Sequence, residues 1–471
     1  MIQEKDTICA IATAVGSAGI GTVRLSGPEA VAIADRLFSG KKRLSEMNTY
    51  TAAYGRLKDE TGRELDEVIA LVMLAPHTYT TEDVVELSCH GGQLVLRRVL
   101  EAAVRAGARL AEPGEFTRRA YLGGRIDLSE AEAVMDVISA ENDRALSASL
   151  NQLKGSLRKD VTELREKLLY ETAYIESALD DPENYSLDEF GDRIRSVLEE
   201  SKSRISKMLR EADEGRLLRG GIRTAIIGRP NAGKSSILNL LLGEERAIVT
   251  DIAGTTRDTL EEKAMLGGIQ LVLIDTAGIR ETEDAVERIG VKRAKAAVDT
   301  ADLILLVIDA AESSAEEDVR LLREIREGGQ RKAPVLILLN KNDLETVISV
   351  ADAKKLLEEA GYAGEEGVAL EISAATGEGK SDLERAVHEL FFAGRLEDNQ
   401  ERYILNARHK EALETASEAL SRVSESVDAG VGEDFYTIDL LAAYEALGRI
   451  TGETLEDDLA DKIFAEFCMG K

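Results

Sequence analysis

The sequence predicts a multidomain chain of the α/β and α classes. It comprises an α+β N-terminal domain, a helical domain, and a phosphate-loop (P-loop) α/β domain inserted into the helical one. Three observations lead there. The 471 residues exceed one domain at roughly 100–200 residues each. Between Gly220-Gly221 and Phe391, solid apolar strands alternate with amphipathic helices, the pattern of a parallel sheet covered on both faces. Apolar residues at helical spacing both precede and follow that stretch.

Residues 1–120 mix short β-prone runs with two helical stretches. Ile8–Ile11, Gly21–Leu25, Val68–Val72 and Val84–Leu87 are bounded by Gly, Pro or polar clusters, and Pro28–Phe38 and Gln93–Ala106 read as helices. Residues 121–215 turn helical. Ser129 with Glu132 three residues on is expected to form a capping box, and Asp181-Pro182-Glu183-Asn184 breaks two helices. Residues 216–390 carry the apolar strands Leu303–Ile308 and Val335–Leu339; Leu260–Met265 and Ile269–Ile274 flank Gly267-Gly268 as a hairpin. Residues 391–471 return to helix through Leu405, Leu413, Leu420 and Val423, then Leu440, Leu447 and Leu459. An α/β domain inserted into one helical domain explains this order economically, since the ends of a domain often lie close together. Two separate helical domains are the alternative.

Composition narrows the function. With 59 basic and 88 acidic side chains, the net charge is −29, which disfavours a general phosphate-seeking surface for nucleic acid. The acidity is concentrated late: residues 1–120 hold 15 basic and 16 acidic groups, residues 391–471 hold 8 and 18. No run of about 18 apolar residues marks a membrane span. The first residues lack the order of a signal or transit peptide, so a cytoplasmic protein is expected. Cys9, Cys89 and Cys468, with four scattered histidines, suggest neither a disulfide framework nor a zinc centre.

The chemistry lies in the α/β domain. Gly228-Arg229-Pro230-Asn231-Ala232-Gly233-Lys234-Ser235, followed by Ser236, fits G-x-x-x-x-G-K-[ST] between an apolar strand and a helix. Its backbone amides can cradle phosphates, Lys234 can reach the β/γ-phosphates, and Ser235 can ligate Mg²⁺. Three strand-end motifs follow in order. Asp275-Thr276-Ala277-Gly278 can touch the Mg²⁺ shell and a γ-phosphate. In Asn340-Lys341-Asn342-Asp343 a carboxylate selects guanine, and Ser373-Ala374-Ala375 can back guanine O6 with an amide. Together they imply a GTPase (G) domain. Ile279, just after Gly278, cannot orient an attacking water as the glutamine of Ras-like enzymes does. Glu287 and Arg280 are candidate substitutes, and a merely solvated charged segment is the alternative.

With these motifs placed, both chain ends become recognisable. Gly254-Thr255-Thr256-Arg257-Asp258 resembles the Era/TrmE-like GTPases. Ala18–Gly27, Glu86–Gly92, Glu112–Ala120 and Phe467-Cys468-Met469-Gly470-Lys471 resemble one family among them, the tRNA uridine-5-carboxymethylaminomethyl modification GTPases (MnmE, also TrmE). The resemblance implies a folate-binding N-terminal domain that forms a homodimer. It also implies an FAD-containing partner, MnmG, forming a hetero-oligomer that acts on the wobble uridine of certain tRNAs, with tRNA bound mainly through the partner. The implied reduced-folate residues (5-formyl- or methylene-tetrahydrofolate type) are Arg24, Glu86, Arg125 and Lys471, with Arg125 standing where the family usually has lysine. An implied K⁺ ion replaces an arginine finger and is held by Asn231, Thr250, Ile252 and Thr255, in a loop that includes Asp251, Ala253 and Gly254. Thr256 would join Ser235 on Mg²⁺, and Glu287 would orient water.

Cys468 near the end suggests either a nucleophile or a flexible-tail or packing role, Cys9 and Cys89 read as core residues, and His90 reads as a turn residue, with a ligand contact as the alternative. Two other classes compete. A ribosome-assembly GTPase acting as a binding switch would need no folate pocket. A membrane-remodelling GTPase would want a basic lipid-facing patch, which the acidic end lacks.

Overall fold

A computed structural model describes residues 6–14, 16–185, 187, 190–243, 261–274, 298–312, 315–328, 333–362, 367–392, 405–453, 463 and 470. The chain forms two compact units: residues 1–138, 150–206 and 407–471, and residues 139–149 and 207–406. The fold class is the one expected, a mixed α+β and helical body interrupted by a phosphate-loop α/β body.

The first unit begins with a seven-stranded sheet. Its elements are β1 (Ile8–Ile11), β2 (Ala18–Ser26), α1 (Ala30–Leu37), β3 (Phe38–Gly40), β4 (Thr51–Lys58), β5 (Glu64–Met73), β6 (Val84–Gly91), α2 (Gln93–Arg105), β7 (Arg109–Leu110) and α3 (Glu115–Leu122). The strand order is β3-β4-β5-β6-β2-β1-β7. All pairs are antiparallel except β1 with β7. Val23, Leu25, Val85 and Leu87 meet Ile33, Leu37, Leu96 and Val99 of α1 and α2 in the core. Burying such side chains contributes about 1.5–3 kcal/mol each. β3 and β4 were not legible: β4 buries only Gly55 and Leu57, so no apolar run announces it. His90 lies on β6, not in a turn.

The helices are α4 (Leu128–Ser139), α5 (Asp143–Leu153), α6 (Ser156–Asp180) and α7 (Phe190–Gly220). The box that opens α4 sits two residues earlier than expected. Asp127 Oδ1 accepts from the Glu130 N–H at 2.7 Å and the Ser129 hydroxyl at 2.8 Å, and Glu130 Oε2 accepts from the Asp127 N–H at 2.7 Å. Asp127 is the first residue outside the helix, so its carboxylate reaches the unpaired amides that Ser129, already inside, cannot.

The second unit holds β8 (Ile222–Gly228), α8 (Lys234–Leu242), β9 (Glu262–Leu266), β10 (Ile269–Ile274), β11 (Leu303–Asp309), α9 (Ala315–Gly328), β12 (Val335–Asn340), α10 (Val350–Glu359), β13 (Gly367–Glu371) and α11 (Lys380–Phe392). The strand order β13-β12-β11-β8-β10-β9 is parallel except at β9. Ile304, Leu306 and Ile308 of β11 pack into one core and Leu305 and Val307 into another. A strand buried on both faces is why its sequence is a solid apolar run. Gly267 and Gly268, at φ 56° and 76°, supply the two positive φ angles a two-residue hairpin turn of matching twist requires.

Two further helices of the first unit, α12 (Ala407–Asp428) and α13 (Asp434–Thr451), pack together, and α13 packs on α6. Freed from capping, Glu132 faces α12. Its Oε2 lies 2.8 Å from Arg408 Nη2 and 2.8 Å from Nε2 of the fully buried His409. Burial pushes the Glu132 carboxyl up, but its bond with His409 and the Arg408 charge outweigh burial and hold it at about 2. Burial likewise drives the His409 imidazole below its ordinary value, against the pull of Glu132.

The unfolded chain therefore binds a proton at His409 that the folded chain refuses. Stability from this site is complete above the ordinary imidazole value of about 6.5 and declines as pH falls toward the lower folded value. Urea midpoints should drop between pH 7 and 5, and His409→Gln should remove that part of the slope. Glu132→Ala, leaving Arg408 without its anion, should cost about 3–5 kcal/mol. An unchanged midpoint in Glu132→Ala would contradict the cluster's role.

Candidate functional site

In a parallel sheet, loops at the carboxyl ends of neighbouring strands converge. Here the loops after β8, β12 and β13 do so. Gly228 (φ 148°), Asn231 (φ 63°) and Gly233 (φ 96°) bend the first of them tightly before α8 begins at Lys234. Lys234 Nζ donates to the Gly228 carbonyl at 2.9 Å and the Arg229 carbonyl at 2.7 Å. Burial lowers its ammonium pKa. Ser235 and Ser236 are exposed at the helix N-terminus, and Asn231 is exposed on the loop. An exposed hydroxyl and loop amides beside a helix N-terminus suit phosphate with a divalent cation.

Asn340 joins this loop to the others. Its Nδ2 donates to the Ala232 carbonyl at 3.0 Å and its Oδ1 accepts from the Ala374 N–H at 3.1 Å. A Cβ at residue 233 would lie 2.1 Å from Asn340 Nδ2, so glycine is obligatory there for space as well as for φ. Asp343 is exposed, and its Oδ1 accepts from the Ser373 hydroxyl at 2.6 Å. Ser373 therefore holds the exposed Asp343 carboxylate with its side chain. The Ala374 amide is bonded to Asn340, so the side chain at the end of β12 holds the loop that follows β13. Lys341, at φ 67°, donates from Nζ to Asp309 Oδ2 at 2.5 Å. Asp309 ends β11, and sequence reading missed it because nothing local links it to Lys341.

Thr250, Asp251, Ile252, Ala253, Gly254, Thr255, Thr256, Asp275, Thr276, Ala277, Gly278, Arg280, Glu287, Cys468 and Lys471 lie outside the described residues.

The first unit brings a second set of expected residues together. Arg24 and Glu86 face each other across β2 and β6, with Nε to Oε1 at 2.8 Å. Arg24 Nη1 also donates to the Gly470 carbonyl at 3.4 Å, and its guanidinium lies 5.6 Å from the Phe116 ring centre. Arg125 donates to the Thr78 carbonyl at 2.5 Å and lies 5.3 Å from the Tyr79 ring centre. It also lines a cavity of about 460 Å³ with Tyr50, His77 and Thr81. Burial raises the Tyr79 phenol, with Arg24 and Arg125 both pulling it down. Tyr79 is thus the aromatic residue near both cations; sequence reading missed it because a lone Tyr in a Thr-rich loop carries no pattern. Cys9 and Cys89 are buried, and burial pushes each thiol to about 11, which makes them core residues rather than nucleophiles.

Two family models match the chain. The model of the MnmE helical domain matches residues 128–468, and that of the GTP-binding protein TrmE N-terminus matches residues 7–125. Curated relatives named tRNA modification GTPase MnmE align along 100% of both chains. They are 50% identical in Lachnoclostridium phytofermentans, 48% in Geobacillus kaustophilus and 46% in Listeria welshimeri.

Asp343→Asn should exchange guanine preference for xanthine, because an amide in place of the carboxylate reverses one donor–acceptor pair. A site built around such a bond discriminates by roughly 10⁴ or more. Competition titrations with GTP and xanthosine triphosphate read this directly. Undiminished GTP affinity in the variant would refute the role of Asp343.

Proposed function

The chain belongs to the MnmE family of tRNA modification GTPases, and from that premise we propose that it is a potassium-dependent GTP hydrolase working with the FAD-containing protein MnmG. Together they help install the carboxymethylaminomethyl group at C5 of the wobble uridine of certain tRNAs. The observation that carries the guanine-nucleotide part is the cradle in which Asn340 joins the phosphate loop to the loop of Ser373, whose hydroxyl in turn holds Asp343.

In this mechanism the loop amides and Lys234 bind the phosphates, and Asp343 reads the guanine edge. Ser235 and Thr256 would hold Mg²⁺, which neutralises phosphate charge. Asn231, Thr250, Ile252 and Thr255 would hold K⁺, which supplies the positive charge an arginine finger brings elsewhere. The exposed Ser235 and Asn231 fit those parts. Glu287 would orient the attacking water, with Arg280 as the second candidate in that segment. Asp275–Gly278 would sense the γ-phosphate.

Reduced folate would sit on the first unit. Glu86 offers a carboxylate for bidentate pairing with a pterin edge, and Arg24, Arg125 and Lys471 offer cations for its carboxylates. The half-buried Arg24–Glu86 pair and the cavity beside Arg125 suit such a ligand. The protein would act as a homodimer in the cytoplasm, with tRNA bound mainly through MnmG. No described helix is long and apolar enough to cross a membrane.

Steady-state GTP turnover in potassium and sodium salts tests this reading. An arginine finger is worth about 10³–10⁵ in rate, so turnover should differ between the salts by orders of magnitude. Glu287→Ala should be slow in both. Equal rates in the two salts would refute the ion's role. In the same preparations, Glu86→Ala should weaken 5-formyltetrahydrofolate binding by calorimetry while leaving GDP affinity intact.

A further inference from the structure

One cation of the phosphate loop is bonded to carboxylates of a neighbouring helix. Arg229, the loop's second residue, donates from Nε to Asp318 Oδ1 at 3.0 Å, and its Nη1 lies 3.5 Å from Glu317 Oε2, both on α9. Asp318 is fully buried, and its Oδ2 has no hydrogen-bond partner among the described residues. A buried carboxylate with an unmade bond is costly and persists only beside a compensating charge. Arg229 is that charge. The same residue's backbone carbonyl, with that of Gly228, receives the Lys234 ammonium. Arg229 thus ties α9 to Lys234 through its own two ends.

We propose that Asp318 is a positioning residue for nucleotide binding, clamping the phosphate loop to α9 through Arg229 and so fixing the carbonyl that aims Lys234. Arg229 is then an anchor and neither a phosphate ligand nor an arginine finger in cis. The loop is bent through three positive φ angles, and an anchored start limits the conformations from which that bend must be selected. This inference rests on the loop's being a guanine-nucleotide site, which wild-type GDP binding tests separately.

Fluorescent GDP and GTP titrations of the full chain, run well below its melting temperature, read the clamp alongside turnover at saturating GTP. Asp318→Asn and Arg229→Gln should each weaken both nucleotides by about tenfold, with kcat changing less than affinity. The double variant should be no worse than either single, because the pair acts as a unit. Arg229→Lys should restore part of the affinity only while Asp318 is present. A role confined to stability would shift melting and leave these affinities unmoved, which overturns the proposal. So would a loss in Arg229→Gln that Asp318→Asn does not share, since Arg229 would then touch the nucleotide. Should Asp318→Asn fail to fold, full affinity in Arg229→Gln overturns the clamp by itself. Absence of GDP binding in the wild type would instead refute the site.

Discussion

The side-chain amide of Asn340 is the contact on which the nucleotide cradle depends. It is 2% exposed and uses both its ends, one on the Ala232 carbonyl and one on the Ala374 amide. A buried amide can hold two loops only if its own backbone is fixed. β12, buried along its whole length between β11 and β13, fixes it. The demand then spreads outward. Gly233 has no room for a Cβ, Ala374 must offer its N–H, and Ser373 is left to orient Asp343 by its hydroxyl. A motif at the end of one strand thereby dictates residues in two others.

Much of this was legible because it is local. The phosphate loop, the Asn340–Asp343 motif and the Gly267-Gly268 hairpin each announce themselves within a few residues. What stayed hidden depends on exact backbone placement or on neighbours distant in sequence. β4 has no apolar run because it buries only Gly55 and Leu57 and leaves most of its other residues exposed. The α4 cap was misplaced because Ser129 and Asp127 both offer oxygens, and only the backbone decides which lies outside the helix. Tyr79 gains meaning from Arg24 and Arg125, and Asp318 from Arg229.

The first unit shows a related division between buried and half-buried charges. Within the Glu112–Ala120 segment, Glu115 and Arg119 are buried and bond each other at 2.9 Å, and Arg119 also bonds Asp6 and Glu82. These charges are already committed to holding α3 against the chain's start. Arg24 and Glu86, opposite each other on β2 and β6 and only half-buried, bond each other and still keep exposed surface. Burial therefore separates residues of one family pattern into those enclosed in the framework and those that keep exposed surface.

Calorimetric GDP binding to Asn340→Asp is the most direct test of the joined cradle. The substitution preserves shape but sets a carboxylate oxygen against the Ala232 carbonyl, replacing a hydrogen bond by repulsion. GDP affinity should fall by more than about tenfold, since a buried group left unsatisfied costs about 1–3 kcal/mol. Wild-type GDP affinity in a folded Asn340→Asp variant would contradict the claim that this one amide makes the loops a single site.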